Sequence, residues 1–484
     1  MLYDELLLID GALVPAASGR VFDDLNPATE EVLGVAPDAG AEDMDRAITA
    51  ARRAFDTTTW ATDPAFRARC LRQLHEAFVK HSDELRALTV AEVGAPVMLT
   101  HGAQLDSPVA GLAYVAGLAE RYEWEQDLGV ADVMGISSRR LARRVPAGVV
   151  GAITPWNFPH QLNLAKVGPA LAAGCTVVLK AAPDTPACAT RLGRLIAEET
   201  ELPAGVVNVI TSTDHQLGAQ LSSDPRVDLV SFTGSTATGR AVMVNAAATL
   251  KRVFLELGGK SAFIALDDEK LAEAMGFAGF SGVAHAGQGC ALTTRILIPR
   301  SRFDEGVEAL AATLAMLPPS DPTEPATMCG PVISARQRDR IEDFLARAKD
   351  AGATFATGGS RPDRDRGFWV EPTLVVGVDN DAEIARQEVF GPVLTAVPYD
   401  DEDDAVRIAN DSDYGLSGAV YGADLERAKA VAGRLRTGTV GVNGGQWFGV
   451  DSPFGGFKQS GIGREMGLPG FEEYTEITTV AVPA

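Results

Sequence analysis

From Val149 onward, short runs of β-branched and aliphatic residues alternate with helical stretches, and this restricts the fold more than any other feature of the chain. Val149–Ile153, Thr176–Leu179, Val206–Ile210, Leu229–Phe232 and Val253–Leu255 are too short for helices and rich in residues that suit a pleated surface, whereas Arg191–Glu199 has helical spacing. Successive strands joined through helices run parallel and are covered on both faces. A second series follows Gly258, through Ile296–Ile298, the charged helix Ala335–Ala351, Val393–Pro398, the helix Glu402–Asn410 and Thr439–Val442. The expected class is α/β, with two such units. Upstream, Asp43–Phe55 and Ala65–Val93 place Ala, Leu and Phe at three- and four-residue intervals and read as amphipathic helices. Two stretches fit neither series: Glu123–Arg144, with a strand expected over Ser137–Val145, and the Thr-, Ile- and Val-rich tail Glu473–Val482. Exposed strands of this kind pair with other chains.

A length of 484 residues exceeds what one core supports, so two or three packed units are expected. The net charge of -22, with no long Lys/Arg run, argues against nucleic acid or an anionic membrane as partner and leaves small molecules. Five scattered cysteines without a C-x-x-C pair indicate reduced thiols and a cytoplasmic location. The apolar run Leu6–Ile9 near the start follows acidic residues rather than a basic leader, and no stretch reaches the ~18 apolar residues of a membrane helix. The six histidines lack H-x-x-x-H spacing, so no metal site is expected.

Four constellations carry chemistry. In Gly287-Gln288-Gly289-Cys290, small neighbours let a substrate approach the sulfur; the plainer alternative is a buried, inert cysteine. Glu256 closes an apolar strand just before Gly258 and Gly259, where partial desolvation raises a carboxyl pKa and suits it to proton abstraction; the alternative is a salt bridge. Asn157, between Pro155-Trp156 and Phe158-Pro159, offers a rigid N–H donor for an oxyanion, or is a turn asparagine. Phe232-Thr233-Gly234-Ser235-Thr236-Ala237-Thr238-Gly239, between a strand and a helical run, supplies backbone N–H groups and a hydroxyl for a pyrophosphate; a simple helix cap explains the hydroxyls but not the second glycine. No G-x-G-x-x-G follows the first strand, so a nucleotide site rests on the alternation and this run.

Together these segments resemble the aldehyde dehydrogenase superfamily. The resemblance runs from Asn26-Pro27-Ala28-Thr29-Glu30 to about Glu476 and includes Glu388-Val389-Phe390-Gly391-Pro392 and Pro453-Phe454-Gly455-Gly456-Phe457-Lys458 in family order. It implies a Rossmann-like cofactor domain (residues 1–122 and 146–256), a second α/β catalytic domain (257–457) and a small β oligomerisation domain (123–145 and 468–484). A homodimer or homotetramer is the implied assembly, NAD the implied cofactor with NADP possible, and a small-molecule aldehyde the substrate. Cys290 would be the nucleophile and Asn157 the oxyanion donor, Glu256 would activate the hydrolytic water, and Lys166 would assist proton movement. Cofactor contacts would come from Ile153, Thr154, Pro155, Trp156, Lys180, Pro183, Gly218, Phe232, Thr233, Gly234, Ser235, Leu257, Glu388 and Phe390.

Departures sharpen these expectations. Pro183 stands where many NAD-preferring relatives carry a glutamate that repels a 2′-phosphate, with Asp184 adjacent as a substitute. Retention of Glu256 argues against the CoA-acylating branch. The resemblance places Phe158, Leu162, Ala165, Ala291, Phe448 and Phe454 along the aldehyde tunnel, without a guanidinium, and Ala165 replaces an aromatic found in choline-oxidising relatives. An apolar aldehyde of medium or large size follows. Two other readings stay open: a non-catalytic structural or binding protein that keeps the fold, and a thiol esterase.

Overall fold

The computed structural model describes residues 5–484; of the start weighed as a leader, Met1 to Asp4 lie outside this range and Leu7–Ile9 is a strand. The first sheet has the order Ala12–Val14, Leu7–Ile9, Val207–Ile210, Thr176–Lys180, Val149–Ile153, Leu229–Thr233, Arg252–Glu256, Gly461–Ile462. Its five central strands are parallel, and the outer ones run antiparallel. All five strands expected between Val149 and Leu255 are present, with ends within one residue of the expected ones. Alternate residues of one strand face opposite ways. Val150, Ala152, Val177 and Leu179 join one core, and Val149, Val178, Val230 and Phe232 join another across the sheet. The parallel strands are thus buried on both faces, as their unbroken apolar runs imply.

From Val149–Ile153 the chain moves outward to Thr176–Lys180 and Val207–Ile210, then returns to place Leu229–Thr233 on the other side of its starting strand. That reversal opens a crevice at the carboxyl ends of Val149–Ile153 and Leu229–Thr233, the usual ligand position in such sheets.

The second sheet has the order Thr354–Thr357, Thr373–Val376, Val393–Tyr399, Thr293–Pro299, Ser261–Ala265, Ser417–Tyr421, Thr439–Val442, and only the first strand is antiparallel to its neighbour. Ser261–Ala265 and Ser417–Tyr421 were not expected. Their Ser, Ala and Gly content hides a strand signal that central burial supplies instead. The helix expected over Ala65–Val93 is two helices, Pro64–Lys80 and Ser82–Val93, broken at His81 (φ -102°, ψ 14°) without a Gly or Pro to announce it.

The two segments that fit neither α/β series come together within the chain. Ile136–Pro146 is the centre of a three-stranded antiparallel sheet, flanked by Glu125–Val133 through the Met134-Gly135 turn and by Thr475–Pro483. Their first partners are therefore one another. Among the described residues no further strand pairs with either outer edge, and Val130, Val133, Ile136 and Ile477 are exposed. No helix among the described residues is long and apolar enough to cross a membrane.

Candidate active site

The strand Val149–Ile153 ends at the crevice in Thr154-Pro155-Trp156-Asn157-Phe158, and the helix Pro159–Ala173 follows with proline at its first position, where a missing N–H costs nothing. Thr154 Oγ1 donates to Asn163 Oδ1 at 2.7 Å and pins this turn to its own helix. Asn157 is buried; its Nδ2 donates to the Gln288 carbonyl, and its own carbonyl accepts from Gln104 Nε2 and His285 Nε2, all at 2.9 Å. The amide sought as an oxyanion donor is thus tied to the segment that carries Cys290.

Cys290 is half-buried, whereas the other four cysteines are buried. Burial pushes its thiol pKa well above the ordinary value, and the negative charges of Glu256, Glu388 and Glu465 push it further. The preceding glycines do more than admit a substrate. Gly287 has φ +70°, and a Cβ there would lie 2.0 Å from the Gly391 carbonyl oxygen. Only glycine tolerates so close a backbone approach.

Glu256 ends the strand Arg252–Glu256 and is 1% exposed, with no hydrogen-bond partner on either carboxylate oxygen among the described residues. Burial raises its pKa well above the carboxylate range, the charge of Glu465 raises it further, and Lys166, Arg464 and the Gly456 backbone N–H oppose both. Lys166, fully buried on the helix Pro159–Ala173, forms an ion pair with Glu465 at 2.5 Å and lies 5.3 Å from the centre of the Phe254 ring. Glu465 was not singled out from the sequence. The available signal was physical: a lysine in an apolar helix face needs an acid to neutralise it.

Around the crevice, Ser235 caps the helix Thr236–Ala247, its Oγ accepting from the Thr238 N–H at 3.2 Å. The plain capping role is therefore present, and the second glycine has a packing use, since a Cβ on Gly239 would meet Leu257 Cδ2 at 2.6 Å. The Gly234 N–H donates to the Glu256 carbonyl at 3.0 Å, and the buried Leu257 donates to the Ser460 carbonyl at 2.9 Å. Gly218 faces Ile153 and Lys180, whose side chains would lie 3.8 and 3.9 Å from a Cβ there. Lys180 is buried, with its pKa depressed by burial, and its ammonium reaches only the Ala181 carbonyl, at 3.4 Å. Glu388 Oε1 accepts from the Gly259 N–H at 3.0 Å, and its other oxygen occupies the space a Cβ on Gly258 would need. Trp156 and Phe390 meet edge to face with centroids 5.5 Å apart. Pro183 is half-buried just beyond Lys180, while Asp184 faces Arg336 at 3.6 Å. Among the described residues the Thr233 hydroxyl in the buried floor has no hydrogen-bond partner and Lys180 forms no ion pair, which suits a dinucleotide supplying both phosphate and ribose oxygens.

The Aldehyde dehydrogenase family profile matches residues 13–480. The chain belongs to the aldehyde dehydrogenase family. It is 43% identical over 482 residues to a 3-succinoylsemialdehyde-pyridine dehydrogenase of Pseudomonas sp, covering 98% of this chain and 97% of that one. It is 40% identical over 475 residues to a geranial dehydrogenase of Castellaniella defragrans, covering 98% of both. Among solved structures, an aldehyde dehydrogenase of Mycobacterium tuberculosis complexed with NAD+ superposes with a TM-score of 0.95 at 42% identity, covering 100% of this chain and 99% of that one.

In this aldehyde dehydrogenase the aromatics expected along the tunnel find specific partners. Phe454 stacks on Trp447 with ring centroids 5.4 Å apart and planes 7° from parallel, and Phe448 meets the same indole edge to face at 6.1 Å. Trp447 was missed from the sequence, although a tryptophan beside an expected lining phenylalanine was a visible cue. Phe158 packs against His285 at 5.3 Å, Leu162 is buried on the helix that carries Lys166, and Ala165 and Ala291 are half-buried. The dehydrogenase also buries Gln288 completely, its amide bonded to the carbonyls of His285 and Pro331 and to the Ile333 N–H.

Proposed function

We propose that the protein oxidises an apolar aldehyde of medium or large size to its carboxylate through a thioester on Cys290, using NAD and accepting NADP. The observation that carries this reading is the half-buried Cys290, two residues after the carbonyl that anchors the Asn157 amide and near enough to the buried Glu256 carboxyl for its charge to raise the thiol pKa. The raised pKa leaves Cys290 a thiol at rest, so it gives up its proton to solvent as the sulfur adds to the aldehyde carbon, and the oxygen, now negative, is held by the second Asn157 N–H and the Cys290 backbone N–H. A dinucleotide, which Ile153, Trp156, Lys180, Ser235, Glu388 and Phe390 would hold, would supply the acceptor for the hydride lost from that carbon as the negative oxygen re-forms the carbonyl of a thioester. Glu256 then takes a proton from water, which attacks the thioester and releases the acid; its raised pKa suits that transfer. Lys166, through Glu465, sets the charge Glu256 feels and helps its proton depart.

The Trp447, Phe448 and Phe454 cluster supports an apolar substrate, as does a relative named for geranial. Tolerance of NADP rests on Pro183, with Asp184 turned to Arg336. Residues 1–122 with 146–256 would form the cofactor unit, 257–457 the catalytic unit, and 123–145 with 468–484 the surface joining copies into a dimer or tetramer; the open sheet edges support that use. Sedimentation of the purified chain as a monomer would refute the assembly. Five free thiols fit a reducing cytoplasm.

The deciding experiment follows reduced-cofactor formation with NAD and NADP over aldehydes of increasing chain length, for the native protein and Cys290→Ala. Reduction that grows with chain length and vanishes in the variant is expected. A preference for acetaldehyde would overturn the substrate class, and activity surviving in Cys290→Ala would overturn the mechanism.

A further inference from the structure

Three buried residues beside the thiol close a ring of hydrogen bonds. Asn157 Nδ2 donates to the Gln288 carbonyl at 2.9 Å, Gln288 Nε2 donates to the His285 carbonyl at 3.1 Å, and His285 Nε2 donates to the Asn157 carbonyl at 2.9 Å. Each side chain fixes the backbone of the next, and their exposures are 3%, 0% and 1%. We propose that His285 and Gln288 are positioning residues whose ring sets the orientation of the Asn157 amide relative to Cys290, leaving its second N–H aimed at the aldehyde oxygen. This rests on the oxyanion role proposed for Asn157.

The torsion that turns an asparagine amide has a broad, nearly two-fold energy profile, so packing alone holds it loosely. A hydrogen bond from one of its N–H groups to a carbonyl two residues before the nucleophile removes that freedom. It also ties the donor to the loop that carries the sulfur, so the two move together. The loop is shaped for the purpose: His285 and Ala286, with φ +53° and +52°, precede Gly287 at +70°, a left-handed run that side chains with a Cβ avoid. That run turns the His285 imidazole back to Asn157 while its carbonyl meets Gln288. Outside supports complete the frame: Gln104 adds a second bond to the Asn157 carbonyl, and the Ile333 N–H holds Gln288 Oε1. The imidazole is neutral, since burial lowers its pKa to about 4 and its Nδ1 has no partner among the described residues. The ring therefore adds no fixed charge beside the oxyanion.

The test uses the full-length protein with His285→Phe, which keeps an aromatic ring against Phe158 but removes the donor, and His285→Gln, which restores an N–H at similar reach. Aldehyde oxidation and p-nitrophenyl acetate cleavage both need the oxyanion site, whereas alkylation of Cys290 by iodoacetamide proceeds at a saturated carbon and does not. For His285→Phe we expect losses of about 10- to 100-fold in both turnovers, as for a misplacement near 1 Å. Alkylation should stay within about twofold and KM for NAD should not move, with most of the turnover regained in His285→Gln. Unchanged turnover in His285→Phe overturns the proposal, as does alkylation that falls in parallel, which would mark a disordered loop. Asn157→Ala separates the two readings: if it leaves ester cleavage intact, the oxyanion assignment itself fails, whereas if it alone impairs cleavage, only the ring does.

Discussion

Asn157 and Glu256 are both buried, yet Asn157 is bound through its side-chain amide and twice through its carbonyl, whereas neither carboxylate oxygen of Glu256 makes a close hydrogen bond among the described residues and the Gly456 backbone N–H is its one weak donor. The contrast follows from what each group is proposed to do. A donor for a charge that appears and vanishes is most effective when it does not reorganise, so fixed bonds help it. A base must change protonation, and bonds from fixed donors would stabilise its anion and weaken it. Burying Glu256 with no close hydrogen bond and only the weak Gly456 backbone donor keeps its affinity for a proton high, at the cost of a desolvated carboxyl. Asn157 is held for position, and Glu256 is kept for proton affinity.

The largest test of this contrast is Glu256→Gln, which keeps shape and removes the base. Steady-state oxidation should fall by about 10²- to 10⁴-fold, the usual contribution of a general base. One equivalent of reduced cofactor per active thiol should still form rapidly, because the acyl group is made before the base is needed. Loss of that first turnover as well would assign Glu256 to thiol activation and erase the contrast. Asn157→Ala should cost less, about 10²- to 10³-fold, and should slow the first turnover and ester cleavage together. A normal first turnover in this variant would remove the oxyanion role.

The same division decides what could be read from the sequence. The strands from Val149 to Glu256 announce themselves because parallel strands buried on both faces need unbroken β-branched runs. Ser261–Ala265 and Ser417–Tyr421 do not, because their place in the middle of a sheet, rather than their composition, makes them strands. Cys290, Glu256 and Asn157 stood out through immediate neighbours, glycines and prolines that shape the local chain. Their partners are far away: Glu465 lies 299 residues from Lys166, and His285 lies 128 from Asn157. No local pattern encodes such pairings. The Ser235 run shows the converse, since the cap and the close packing of Gly239 account locally for residues that would also serve a phosphate.

The smallest expected effect concerns how Glu256 is tuned rather than whether it acts. Burial is the main cause of its raised pKa, and the negative charge of Glu465 is the next, opposed by Lys166 and Arg464. The resting carboxyl therefore keeps its proton to higher pH than an ordinary carboxylic acid, and turnover limited by thioester hydrolysis should rise with pH as it ionises. Glu465→Gln removes the second cause and leaves the Lys166 ammonium unneutralised nearby. Both changes favour the Glu256 anion, so the rising limb should move to lower pH, with higher activity on its acid side. The Cys290 thiol, also raised in part by Glu465, should shift the same way, so alkylation by iodoacetamide against pH gives a second reading of the same charge. Asn157→Ala should lower the height of the profile without moving its limb, because an amide carries no charge. A limb that moves to higher pH in Glu465→Gln would mean that the acid supports Glu256 ionisation by holding Lys166 in place, and the proton-affinity side of the site would then depend on fixed bonds as much as the Asn157 side does.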